Sequence, residues 1–81
     1  MNAPERINNL RIIRETFERK VGRPATPEEV SGIRRAYQRN DTVTSSIALG
    51  VIMGTNQDWP EWHQRSALDA YGLAAFMEES S

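Results

Sequence analysis

Apolar positions recur along the front of the chain at spacings of three and four. Ile7, Leu10, Ile13, Phe17 and Val21 fall on one stripe of a helix. Pro4 suits its first turn, where a missing N–H costs nothing. Arg11, Glu15 and Arg19 follow at i,i+4 on another side, where opposite charges support a helix modestly. The pattern predicts a first helix over residues 4–21, with Ile12 directed away from the stripe and Arg14 at its edge.

The next stretch is rich in stop and start signals. Gly22 takes the left-handed conformation that closes a helix, and Pro24 blocks continuation. Thr26, Pro27 and Glu29 then form a Thr-x-x-Glu capping box with proline in the first position. The run Gly22-Arg23-Pro24-Ala25-Thr26 resembles Gly-Arg-x-Pro-Thr connectors between helices of bacterial sigma factors, among other proteins, and carries no functional residue. A second helix is predicted over 27–39, with Val30, Ile33 and Tyr37 inward and Arg35 and Arg39 outward. Asn40-Asp41-Thr42 ends it, and Asp41 or Thr42 caps the next segment.

Residues 43–54 read two ways. The β-branched residues Val43, Thr44, Ile47, Val51 and Ile52 suit a strand, but no second segment offers a pairing partner. Apolar residues point all round a helical wheel here, as in a buried central helix. Ser46, Gly50 and Gly54 recur at every fourth position, a small-residue stripe that lets another helix approach closely. We therefore expect a buried third helix. After the polar turn Thr55-Asn56-Gln57, Asp58 and Glu61 read as a second capping box. A fourth helix is predicted over 59–78, with one stripe through Trp59, Trp62, Ser66, Leu73, Phe76 and Met77 and another through Leu68, Tyr71 and Ala75. A helix apolar on two sides sits between neighbours, within the fold or across an interface. Residues 78–81 are expected to form a frayed tail. The fold class expected is all-α: a single domain over 1–81, built as a bundle of about four helices.

Composition narrows the function classes. The 81 residues contain no cysteine, which removes disulfides, thiol catalysis and cysteine-ligated zinc. A core of this size leaves about 3–5 kcal/mol of net stability, so either the packing is economical or a homodimer or partner completes it. The chain starts without an apolar signal-type segment, and its longest apolar run, Ile47 to Met53, is far shorter than the roughly 20 residues of a membrane span. A soluble, cytoplasmic protein is the expectation. Net charge is −1, yet residues 1–40 hold nine Lys and Arg against five Glu, while residues 41–81 hold Arg65 against six acids. Such halves attract each other within the fold or across a head-to-tail dimer, or they face charged partners.

Catalytic chemistry finds little to work with. His63 is the sole histidine and has no carboxylate at i,i+4 to orient it, so an inert ring beside two tryptophans is the simpler reading. No His/Asp/Glu cluster has metal-ligand spacing, and no phosphate loop or nucleophile elbow is present. The adjacent pairs Glu28–Glu29 and Glu78–Glu79 diverge by roughly 100° on a helix and serve its first turn and the tail instead. We expect no enzyme, no metal and no cofactor.

Two surfaces remain as candidates. A protein partner is expected on Arg34, Arg35 and Arg39 of the second helix and on Trp59, Leu68 and Tyr71 of the fourth, since Trp, Tyr and Arg dominate binding hot spots. Trp62, Leu73 and Phe76 are assigned to the core. The alternative is nucleic acid, contacted by Arg19, Lys20, Arg23, Arg35 and Arg39 on a basic ridge, although the turn is long for a helix-turn-helix and no recognition helix follows. The size, the missing catalytic groups and the lopsided charge suit a small regulator or inhibitor of the kind phages and plasmids carry.

Overall fold

A computed structural model describes residues 3–39, 42–55 and 58–78, with side chains from Asn9 onward. The order is α1 (Ala3–Val21), α2 (Pro27–Gln38), α3 (Val43–Met53), α4 (Glu61–Ala70) and the single turn α5 (Ala75–Glu78). The all-α class and the first three helices stand where the periodicity put them, to within one residue at each end. The roles expected of Ile7, Asn40, Asp41, Asn56 and Gln57, and of residues 79–81, lie outside the described residues or side chains. Among the described residues, no helix is long and apolar enough to cross a membrane.

Leu10, Ile13, Phe17 and Val21 turn the inner stripe of α1 toward the core, and Ile12 lies exposed. Gly22, at φ +83°, donates to Glu18 O at 2.8 Å and closes α1. The connector then folds back on its own side chains. Thr26 Oγ1 accepts from Glu29 N at 3.1 Å and Glu29 Oε1 accepts from Thr26 N at 2.9 Å, which completes the capping box. Arg23 donates to both oxygens of Glu29 at 2.8 and 3.0 Å, and Glu18 Oε2 accepts from Ala25 N at 2.8 Å. At the far end Asn9 donates to the Tyr37 hydroxyl at 3.2 Å. These ties make α1 and α2 an antiparallel hairpin.

The inner face of α2 is rotated from the expected one. Glu29, Gly32, Ile33 and Ala36 are buried, whereas Val30 and Tyr37 are only half-buried. The reason is Gly32: a Cβ built there would lie 1.9 Å from the carbonyl oxygen of Tyr71. The absence of a side chain lets backbone meet backbone, and α2 turns that side inward. On the small-residue stripe of α3, Gly50 is buried while Ser46 and Gly54 are exposed. The buried serine of α3 is Ser45, which donates to Arg39 O and accepts or donates with Thr42 Oγ1 at 2.7 Å. Thr42 caps the helix through Ser45 N at 3.1 Å. With Ile47, Ala48 and Ile52 buried, α3 packs against α1, α2 and α4 as a central helix. Of its β-branched residues, Ile47 and Ile52 are buried, Val51 is half-buried, and Val43 and Thr44 are exposed.

The predicted fourth helix is shortened at both ends. It starts at Glu61, with Pro60 in the cap position and no side-chain cap, so the expected Asp58–Glu61 capping box does not form. It stops at Ala70 because Gly72, at φ +71°, reverses the chain. Leu73 N donates to Leu68 O at 2.8 Å and Gly72 N to Asp69 O at 3.0 Å, the paired bonds of a Schellman ending. The reversal drops Leu73 into the core and sets α5 against α1, where Phe76 stacks on Phe17 with ring centroids 5.9 Å apart.

Two consequences are measurable by urea denaturation. Gly32→Ala forces α2 from the Tyr71 carbonyl and is expected to cost at least about 2 kcal/mol. Gly72→Ala meets no neighbouring atom and should cost only the left-handed strain, about 1 kcal/mol. Glu29 supplies the second. Its carboxyl is held below the ordinary range chiefly by the Arg23 hydrogen bonds, helped by Thr26 and opposed by burial. A depressed folded value contributes stability that is present above the ordinary glutamate value of about 4.3 and is lost as pH falls through the lower folded value. Arg23→Gln should cost about 2 kcal/mol at neutral pH and flatten the loss of stability on acidification.

Candidate functional site

The hairpin creates a groove that neither helix has alone. One turn of α1 contributes Leu10, Arg11 and Arg14, and one turn of α2 contributes Val30, Ile33 and Arg34, around a volume of about 430 Å³. Leu10, Val30 and Ile33 form an apolar floor, and three arginines stand at its rim. Arg11 reaches Glu15 only at 3.9 Å, with both side chains more than half exposed, a geometry worth little in water. Arg34 is exposed. Arg14 is the unusual one: its Nε is buried, and no acceptor among the described residues reaches it. Leaving such a donor without a partner costs about 1–3 kcal/mol.

Among the partner residues expected from sequence, Arg34 is the one in this groove. Arg35 and Arg39 are exposed on α2, but the Arg35 guanidinium covers the Tyr71 ring at 5.7 Å. Tyr71 is only 8% exposed and Leu68 is fully buried. The expectation that the Leu68/Tyr71 stripe faces a partner is therefore corrected: the chain reversal at Gly72 and the Gly32 contact take both side chains into the core. Trp59 is half-buried against that core rather than presented outward, and its carbonyl accepts from Gln64 Nε2 at 2.7 Å.

Trp62 is corrected in the opposite direction. Assigned to the core, it is 69% exposed. Its ring lies flat on His63, centroids 4.8 Å apart and planes 6° apart, and His63 meets Trp59 edge-on at 4.9 Å. The helix begins two residues later than expected, and its buried positions are Ala67 and Leu68 instead. His63 thus sits between two indoles. Among the described residues, no three of His, Cys, Asp and Glu gather as a metal site would require.

Of the basic ridge proposed for nucleic acid, Arg19, Lys20, Arg35 and Arg39 are exposed, and three members also make contacts within the fold. Arg23 is held by Glu29 and by the Pro24 carbonyl at 3.0 Å. Lys20 Nζ lies 4.8 Å over the Phe76 ring, and Arg35 covers Tyr71. Arg19 and Arg39, the other two members, are exposed.

The groove was within reach of the sequence. Leu10–Arg14 and Val30–Arg34 are the same apolar-x-x-x-Arg pair on two helices joined by a short connector. The antiparallel register set by the Asn9–Tyr37 and Glu18–Ala25 bonds brings the two pairs together crosswise, Leu10 level with Arg34 and Arg14 with Val30. Comparison with protein-family models, with curated proteins and with solved structures finds no match.

The two corrected aromatic and aliphatic positions separate in a stability assay. Leu68→Ala is expected to cost about 2–5 kcal/mol by thermal or urea unfolding, whereas Trp62→Ala should change stability by less than about 0.5 kcal/mol.

Proposed function

We propose that this chain is a non-catalytic docking module that binds an acidic surface of a protein partner through the α1–α2 groove, and so recruits or blocks that partner. The observation that carries the reading is a groove lined by Leu10, Val30 and Ile33 together with three arginines, Arg11, Arg14 and Arg34. Arginine is suited to bidentate carboxylate contacts and sheds water more readily than lysine. An apolar centre with a charged rim is also how binding surfaces are generally arranged. The nucleic-acid reading has less support, because three of its five cations, Lys20, Arg23 and Arg35, already lie on partners within the fold.

The test is capture of binding proteins from a lysate of the source cells, identified by mass spectrometry and repeated with Arg11→Glu/Arg34→Glu. Both side chains are exposed, so the variant should keep its helical circular dichroism. The expected result is a partner captured by the native chain and retained at least about tenfold less by the variant, a loss of about 1.4 kcal/mol. Equal capture by both forms would remove the groove from the function. Binding of duplex or single-stranded nucleic acid that falls steeply with salt would replace this reading with the other.

A further inference from the structure

Two surface features of this chain have matching chemistries. The first is the groove, one helical turn long on each side. It has room for a large apolar side chain and presents guanidinium groups to whatever flanks that side chain. The second is Trp62. An indole 69% in water, held flat against His63 and backed by Trp59, is a rigid apolar projection rather than a loose side chain. Ordering it on binding costs little entropy because its neighbours already hold it.

Charge distinguishes the two features further. Trp62, Ser66 and Asp69 share one face of α4 at i, i+4 and i+7. Asp58, just before α4, and Glu61 and Asp69 on it are exposed. The cation among them, Arg65, is paired with Glu61 at 2.6 Å. Trp62 thus shares α4 with the exposed Asp69, and Asp58 lies just before the helix. The groove is an apolar floor flanked by arginines. Trp62 is not among the residues that line the groove of its own chain, so the match is made between molecules.

We propose that a second copy of this chain occupies the groove: Trp62 of one molecule seats on Leu10, Val30 and Ile33 of the other, and carboxylates of its α4 reach the arginines that line the groove. Guanidinium groups over an indole add a cation–π attraction. The charge asymmetry of the chain, basic through residue 40 and acidic beyond it, then acts between copies as the steering field for a head-to-tail encounter. The contact joins two different surfaces, so it closes into a symmetric pair or ring, or extends as a chain. This proposal rests on the groove being a site for acidic segments. Self-association and partner docking compete for it, and the module exposes its groove as it is diluted.

The experiment is analytical ultracentrifugation of the full chain from micromolar to millimolar concentration, at low and high salt. The mass should rise above 9.2 kDa with concentration and fall back as salt is added. Trp62→Ala and Arg34→Glu, both at exposed positions, should each weaken association at least about tenfold while circular dichroism stays native. A mixture of the two variants should recover a 1:1 pair, because one keeps its groove and the other its tryptophan. Arg14→Met, which keeps the apolar stem and removes the guanidinium, should also weaken association while the isolated chain melts no lower than native. A mass that stays at the monomer up to millimolar concentration overturns the proposal. So does association that Trp62→Ala leaves intact, or failure of the mixed variants to pair. A monomeric chain whose partner capture is still lost with the Arg11→Glu/Arg34→Glu variant would eliminate the second copy and leave the docking reading standing. Self-association that both single variants abolish, with lysate capture unaffected, would eliminate the partner reading alone.

Discussion

A buried carboxylate sets the geometry on which the groove depends. Glu29 accepts from Arg23 at both oxygens and from the backbone of Thr26, and it lies at the point where α1 hands over to α2. A buried charge is tolerated only when its lone pairs are met, so this carboxylate allows one path for the connector. That path fixes the angle at which α2 returns along α1. Leu10, Arg11 and Arg14 of α1 and Val30, Ile33 and Arg34 of α2 then line one groove. Glu18, by holding Ala25 N, braces the same corner from the other helix.

The second constraint is the contact of Gly32 with the Tyr71 carbonyl. It rotates α2, and it presses the turn after α4 onto the bundle so that Tyr71 goes under Arg35. Packing in a chain this small leaves few surfaces independent of the core. Cations that look alike in sequence are divided by it into two sets. Lys20, Arg23 and Arg35 cover rings or neutralise a buried acid, while Arg11, Arg14 and Arg34 are left around an apolar floor. The functional reading rests on that division, not on the number of arginines.

Helix content, the first three helices and the capping of α2 and α3 were legible because each rests on local forces: i,i+4 neighbours, proline and glycine stops, and hydroxyl or carboxylate caps within four residues. The break in the predicted fourth helix was also local in origin. Gly72 adopts the left-handed conformation that ends the helix, whereas the expected helix follows an apolar stripe that runs past it. Trp62 was misassigned for a related reason. Its spacing fitted an inward stripe only for a helix continuous from residue 59 to 78, and the two α4 side chains that are buried are Ala67 and Leu68.

By itself, the order of residues determined an all-α chain with known caps, no cysteine chemistry, and opposite charge in its two halves. Tertiary structure alone decided which side chains meet. The Glu29 corner, the Gly32 contact, the burial of Leu68 and Tyr71, the exposure of Trp62 and the unpartnered Nε of Arg14 all depend on how the segments pack together. The reason is the range of the forces. Propensity and capping act within a turn or two, whereas burial and the satisfaction of polar groups are settled only once the helices have taken their angles to one another.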